Sequence, residues 1–201
     1  MRTKIIFFLT IFLTSVFFSF TYNNEIGNCF ISFTNSSNLT ADAPGRLPST
    51  SEKVRTLKTD KGDVKVSRID GYRILYLNNK KAPFVNLKVE LSEENSYDKD
   101  KKNLLENLKF ITLHTPEMET KDLIELEFNG YKVYGVSRTT ILSGNILGSF
   151  LMFPGNGLTV FFDFQNTKPE FRNFSSIEDY KKLRDKFIDE YTKYLKTCKA
   201  K

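Results

Sequence analysis

LIELEFNGYKVYGV, residues 123–136, decides the fold class. Two runs that alternate apolar and charged residues flank Asn129-Gly130, the pair most favoured in a two-residue type I′ turn, where both positions need positive φ. With those two residues in the turn, the register follows. Phe128 faces Tyr131, Leu126 faces Val133, and Glu127 faces Lys132 on the opposite side. Apolar meets apolar and acid meets base, so pattern and turn agree on an antiparallel hairpin.

Downstream, NILGSFLMF (145–153) and LTVFFDF (158–164) flank Pro154-Gly155-Asn156-Gly157 and read as a second hairpin. Leu147, Leu151 and Phe153 fall on one face, Phe150 and Met152 on the other. The return strand sets Val160, Phe162 and Phe164 against Phe161. Strands apolar on both faces are expected to be central and covered on both sides. Gly135 and Gly148, inside strands, mark a bulge or a close backbone approach. Upstream, DVKVSRI (63–69) and YRILYL (72–77) flank Asp70-Gly71, another hairpin signal. After the polar turn NNKKAP, FVNLKVEL (84–91) reads as a further strand with Val85, Leu87, Val89 and Leu91 on one face.

Two segments carry helical periodicity. Leu104, Leu105, Leu108 and Ile111 share a face of a helix expected over 96–110, and Pro116 limits its extension. The closing helix is expected from Ser175, as N-cap of a capping box with Glu178, to about Lys196. Tyr180, Leu183, Phe187, Tyr191 and Tyr194 form its apolar stripe. Strands, helix, four strands, helix: one helix cannot hide so many strands. The expected fold is α+β, a twisted and mainly antiparallel sheet sandwiched between amphipathic helices. This order, with FNGYKVYG, then GLTVFFDF followed by EDYKKLRDKFI, resembles the α/β/α sandwich of PsbP-like proteins, the extrinsic-subunit fold of photosystem II and its bacterial relatives. The resemblance covers about residues 63–196. It implies a small exported accessory or binding protein, usually without catalysis, and carries no site residue over.

Arg2 and Lys4 precede IIFFLTIFLTSVFFSF (5–20), and polar sequence follows at once. This is the layout of a signal peptide over 1–21, shorter than the roughly 20 apolar residues of a spanning helix. The alternative is an uncleaved N-terminal anchor, the one case in which membrane contact is expected. Either way the body is exported, to a periplasmic or extracellular location. Residues 22–62, including NSSNLTADAPGRLPSTSEK, read as a flexible lead-in arm, and 63–201 as a single domain. Asn35-Ser36-Ser37, Asn38-Leu39-Thr40 and Asn173-Phe174-Ser175 match the N-glycosylation pattern. Cys29 and Cys198 are an even pair near the two ends of the mature chain, and an oxidising compartment favours a disulfide between them.

The chain is 40% hydrophobic and 27% charged, globular values, with a formal charge of +6. Its lysines are interleaved with acids, so no basic stripe suits nucleic acid. His114 is the sole histidine, with Glu117, Glu119 and Asp122 nearby. One histidine among carboxylates falls short of a metal site, which wants three or four placed ligands. A Cys–His catalytic pair would need a cysteine that pairs elsewhere. Glu125 and Glu127 share a strand face opposite Lys132 and read as a solvated charge face rather than a glycosidase pair, which needs carboxylates across a cleft. No catalytic residue, metal or cofactor is expected. Tyr134, Phe150, Met152 and Phe161 are candidates to line an apolar pocket. The expectation is a non-enzymatic exported domain that binds another macromolecule, a protein or envelope component. The alternative is a small-molecule or lipid binder with an aromatic cavity between sheet and helix.

Overall fold

The computed structural model describes residues 29–33, 40–41, 45–46, 54–78, 81–141 and 146–199. The expected signal peptide, most of the lead-in arm and the glycosylation patterns at Asn35 and Asn38 lie outside them. The strands are β1 (Thr40–Ala41), β2 (Gly45–Arg46), β3 (Val54–Thr59), β4 (Gly62–Ser67), β5 (Asp70–Asn78), β6 (Lys81–Leu91), β7 (Ile124–Phe128), β8 (Tyr131–Ser137), β9 (Ile146–Gly155) and β10 (Leu158–Gln165). The long helices are α1 (Tyr97–His114) and α2 (Ile177–Lys199). One eight-stranded sheet has the order β1-β5-β6-β10-β9-β8-β7, with β2 also pairing β5; β3 and β4 form a separate two-stranded ribbon. Every described ladder is antiparallel. The α+β class with helices on both faces is therefore the observed one.

The Asn129-Gly130 hairpin has the expected register: Phe128 pairs Tyr131, Leu126 pairs Val133 and Glu127 pairs Lys132. Asn129 and Gly130 sit at φ 53° and 79°, as a type I′ turn requires. The next turn is tighter than Pro154–Gly157. Gly155 still pairs Leu158, so Asn156-Gly157, at φ 53° and 75°, make a two-residue turn.

Four expectations are corrected. Asp70-Gly71 is not a hairpin turn. Asp70 pairs Leu91 at the start of the β5–β6 ladder, and its carboxylate accepts the Gly71 N–H at 2.8 Å. β4 pairs instead with β3 around Asp60-Lys61, where the Thr59 hydroxyl donates to the Gly62 carbonyl at 2.7 Å. The lead-in arm is in part structure: 54–59 form β3, and a boundary at 63 falls inside β4. Leu147 joins the face of Phe150 and Met152 rather than that of Leu151. An irregularity in the β9–β10 register next to Gly148 shifts the alternation by one residue. The helix cap is Ser176, whose Oγ accepts the Asp179 N–H at 3.1 Å, while the Ser175 hydroxyl donates to the Asp179 carboxylate.

The α2 face of the sheet is an aromatic core. Tyr180, Phe187, Ile188, Tyr191 and Leu195 of α2 meet Tyr76, Leu87, Phe150, Met152, Phe162 and Phe164 of the sheet, all buried. Close approach is built in. A Cβ on Gly135 would lie 2.1 Å from the Phe150 ring, and one on Gly148 would lie 2.7 Å from the Tyr180 hydroxyl. Residues 29–33 close this face as a strap. Phe33 sits among Tyr76, Phe187, Tyr191 and Tyr194 at ring-centroid distances of 5.3–5.8 Å. The hydroxyls of Tyr76 and Tyr191 donate to the carbonyls of Phe33 and Phe30 at 3.0 and 3.2 Å. The expected Cys29–Cys198 disulfide joins the strap to the end of α2, with the two Cα atoms 6.0 Å apart.

The opposite face carries α1 and the β3–β4 ribbon over a smaller apolar cluster of Val66, Leu104, Leu108, Val136, Leu151 and Phe161. Polar contacts do much of the fastening. Asn103 and Asn107, one turn apart, donate to the carbonyls of Lys65 and Lys58 at 2.8 and 2.9 Å, so α1 satisfies backbone acceptors of the ribbon. Buried Asp100 accepts from the Ser67 and Ser96 hydroxyls at 2.8 and 3.0 Å. Buried Glu90 pairs with Arg55 and, at 3.2 Å, with Arg68.

Candidate functional site

A cleft of about 620 Å³ opens beside α1. Asp98, Lys101, Lys102, Leu105 and Lys109 fall on one side of α1 at helical spacing, next to the stripe that packs on the sheet. Leu123, Glu125 and Tyr134 supply the sheet side, and the Asp60-Lys61 turn of the ribbon supplies a rim. The floor is apolar, made by Leu105, Leu123 and the Tyr134 ring. Tyr134 leans on Phe153 with centroids 6.3 Å apart, and Lys101 Nζ lies 5.3 Å from the Phe153 ring centre, a cation–π distance.

The charges divide into committed and free ones. Lys61 pairs Glu106 at 3.2 Å and Lys109 pairs Asp122 at 3.5 Å. The Leu123 N–H, with Lys109 behind it, holds the Asp122 carboxyl below its usual range. Lys101, Lys102, Asp98 and Glu125 line the cleft without an ion pair among the described residues. The cleft is thus an apolar floor ringed by unpaired charges of both signs, suited to noncovalent binding.

The sequence-expected site residues do not come together. Phe150 and Met152 are fully buried in the core under α2. Tyr134 and Phe161 lie on the other face, and Phe161 is buried beneath Arg55 and Lys88, 5.4 and 5.1 Å from its ring centre. The four residues therefore cannot line one pocket, and only Tyr134 belongs to the cleft. Alternation placed Phe150 and Met152 on one face and Leu151 on the other correctly, though not Leu147, but which face keeps an opening depends on where α1 lands. Leu105, expected in the apolar stripe, turns out to be floor. That a leucine stands between Lys101, Lys102 and Lys109 in the sequence was the available signal.

His114 is exposed, 3.0 Å from Asp60 and edge-on to Phe110 at 4.1 Å. The carboxylates near it in sequence disperse. Glu117, at φ 63°, accepts from the Thr140 hydroxyl; Glu119 pairs Lys181 of α2 at 2.7 Å; Asp122 pairs Lys109. Among the described residues no three His, Cys, Asp or Glu side chains converge. Glu125 and Glu127 lie exposed on one face of β7, with Lys132 in register but outside ion-pair distance. No helix among the described residues is long and apolar enough to cross a membrane.

Compared with protein-family models, with curated proteins and with solved structures, the chain has no significant match.

Proposed function

We propose that this is a non-enzymatic exported domain that works by binding another macromolecule, and that the contact lies on the α1 side around the cleft. The observation that carries this reading is the pairing pattern. Lys101, Lys102, Asp98 and Glu125 ring an apolar floor without ion pairs, while most of the buried aromatic side chains, Phe161 excepted, pack in the core on the other face. Protein contacts commonly combine an apolar centre with a polar, charged rim. The disulfide supports an oxidising compartment, as the signal-like N-terminal sequence does. The resemblance in element order to PsbP-like proteins supports an accessory role for the scaffold.

The second reading, a small-molecule binder, is favoured by one observation. The cleft volume of about 620 Å³ is in the range of ligand pockets. Native mass spectrometry of protein purified from its own source separates the two. The proposal expects co-purified macromolecular mass that disappears in Lys101→Glu/Lys102→Glu. A stoichiometric adduct of a few hundred daltons, with no macromolecular partner, would replace it with the second reading.

A further inference from the structure

The main sheet treats its two edges differently. At the β5 edge the chain adds its own short strands, β1 on Tyr76 and Leu77 and β2 on Tyr72 and Arg73. At the other edge β7 has no partner but β8 among the described residues. The tight turn at Asn129-Gly130 closes with the Tyr131 N–H on the Phe128 carbonyl, so Phe128–Tyr131 is a hydrogen-bonded pair. Such pairs alternate along an antiparallel ladder, so Leu126 and Ile124 also aim their main-chain groups at β8. Glu125 and Glu127 therefore aim theirs outward, as a row of donors and acceptors awaiting a strand.

The side chains of this edge specify what would fit. Glu125 and Glu127 project to the α1 face, exposed and without ion pairs. Glu125 also lines the cleft, opposite Tyr134. Lys132 stands beside Glu127 on β8, which makes Glu125 the more strongly attracting of the two. Ile124, Leu126 and Phe128 project to the other face, half-buried at the margin of the aromatic core. A strand laid along β7 would meet carboxylates at every second position and apolar rim at the positions between.

We propose that β7 is a docking edge for an extended peptide segment that alternates basic and apolar residues. The basic side chain opposite Glu125 enters the cleft beside the Tyr134 ring, and the apolar side chains prolong the core beneath α2. Main-chain pairing supplies affinity and the alternating side chains supply selectivity, as in other strand-addition complexes. This rests on the macromolecule-binding reading and names the partner's chemistry.

The test uses the full oxidised protein and two synthetic peptides of about six residues, the usual strand length. One alternates lysine with valine, the other glutamate with valine. The lysine peptide is expected to bind saturably and to slow amide exchange at Glu125 and Glu127, while Leu126, already facing β8, changes little. Glu125→Lys/Glu127→Lys, checked for an unchanged circular dichroism spectrum, is expected to weaken the lysine peptide by about tenfold or more and to favour the glutamate peptide. Absence of saturable binding, exchange protection confined to other residues, or equal binding of the two peptides would overturn the proposal. The glutamates would then serve only to keep the edge from self-association. A macromolecular partner lost in Lys101→Glu/Lys102→Glu would in that case still support the broader reading, with contact made by side chains alone.

Discussion

Phe161 and Phe162 are neighbours in β10 and end on opposite faces of one sheet. Phe162 is fully buried against Phe187 and Tyr191, with ring centroids 6.4 and 5.3 Å away. Phe161 is buried too, but beneath the cations of Arg55 and Lys88. One face is closed by aromatic packing, a strap and a disulfide. The other is fastened by ion pairs and asparagine-to-carbonyl bonds, and there the cleft opens. Closed, interdigitated packing leaves little free surface, whereas a face held by polar contacts retains charged side chains for a partner. On this account the first face holds the fold and the second does the work.

The largest expected effect lies on the closed face. Phe162→Ala should lower unfolding free energy by about 3–5 kcal/mol in urea titrations, because Phe187 and Tyr191 cannot refill the void. Phe161→Ala should lose roughly half as much or less, since the long Arg55 and Lys88 side chains can settle into the space. Equal losses would erase the distinction between the faces. Next in size is Cys29→Ser/Cys198→Ser. Opening a loop that spans nearly the whole domain should cost roughly 3 kcal/mol. It should also release the strap, read as faster amide exchange at Phe30 and Phe33.

Alkaline pH should attack the closed face as well. Burial, aided by nearby Tyr194, raises the Tyr76 phenol well above its ordinary value near 10. Burial raises Tyr180 and Tyr191 likewise. Below about pH 10 both states keep these phenols protonated and the stability is fully present. Above it the unfolded chain releases protons that the folded one keeps, so stability falls at about 1.4 kcal/mol per pH unit for each tyrosine. Tyrosinate absorbance should therefore show these groups ionising together with unfolding. Separate ionisation of all nine tyrosines before unfolding would contradict the packing described. The smallest stability effect belongs to the open face. Lys102→Glu should change unfolding free energy by no more than about 0.5 kcal/mol, while macromolecular binding falls.

What was legible in the sequence was local. Asn129-Gly130 specified its hairpin because turn chemistry and alternation act within a few residues and agree. Asp70-Gly71 misled for the same reason. It carries a turn signal, but β3, a polar stretch with only Val54 and Leu57 as apolar residues, competes for β4 from further back in the chain. The strap was not legible either. Phe30 and Phe33 gain their meaning from Tyr76, Phe187 and Tyr191, which lie far along the chain. The pairing of Cys29 with Cys198 was readable from their number and from the oxidising compartment that the signal-like N-terminal sequence suggests. Of the site, Tyr134 was named, but for an aromatic cavity with Phe150 and Met152, which lie on the far side of the sheet, and with Phe161, which is buried on the near side. The cleft arises from where α1 crosses the sheet, a long-range outcome that alternation and periodicity do not encode.

Site-directed photo-crosslinking tests the division of labour most directly. A photoreactive residue placed at Glu125, beside the cleft, is compared with one at Lys182, on the exposed side of α2 with its side chain 79% accessible. Both proteins are irradiated in their own source. The account predicts a discrete macromolecular adduct from position 125 and none from 182. Adducts from 182 with none from 125 would contradict it.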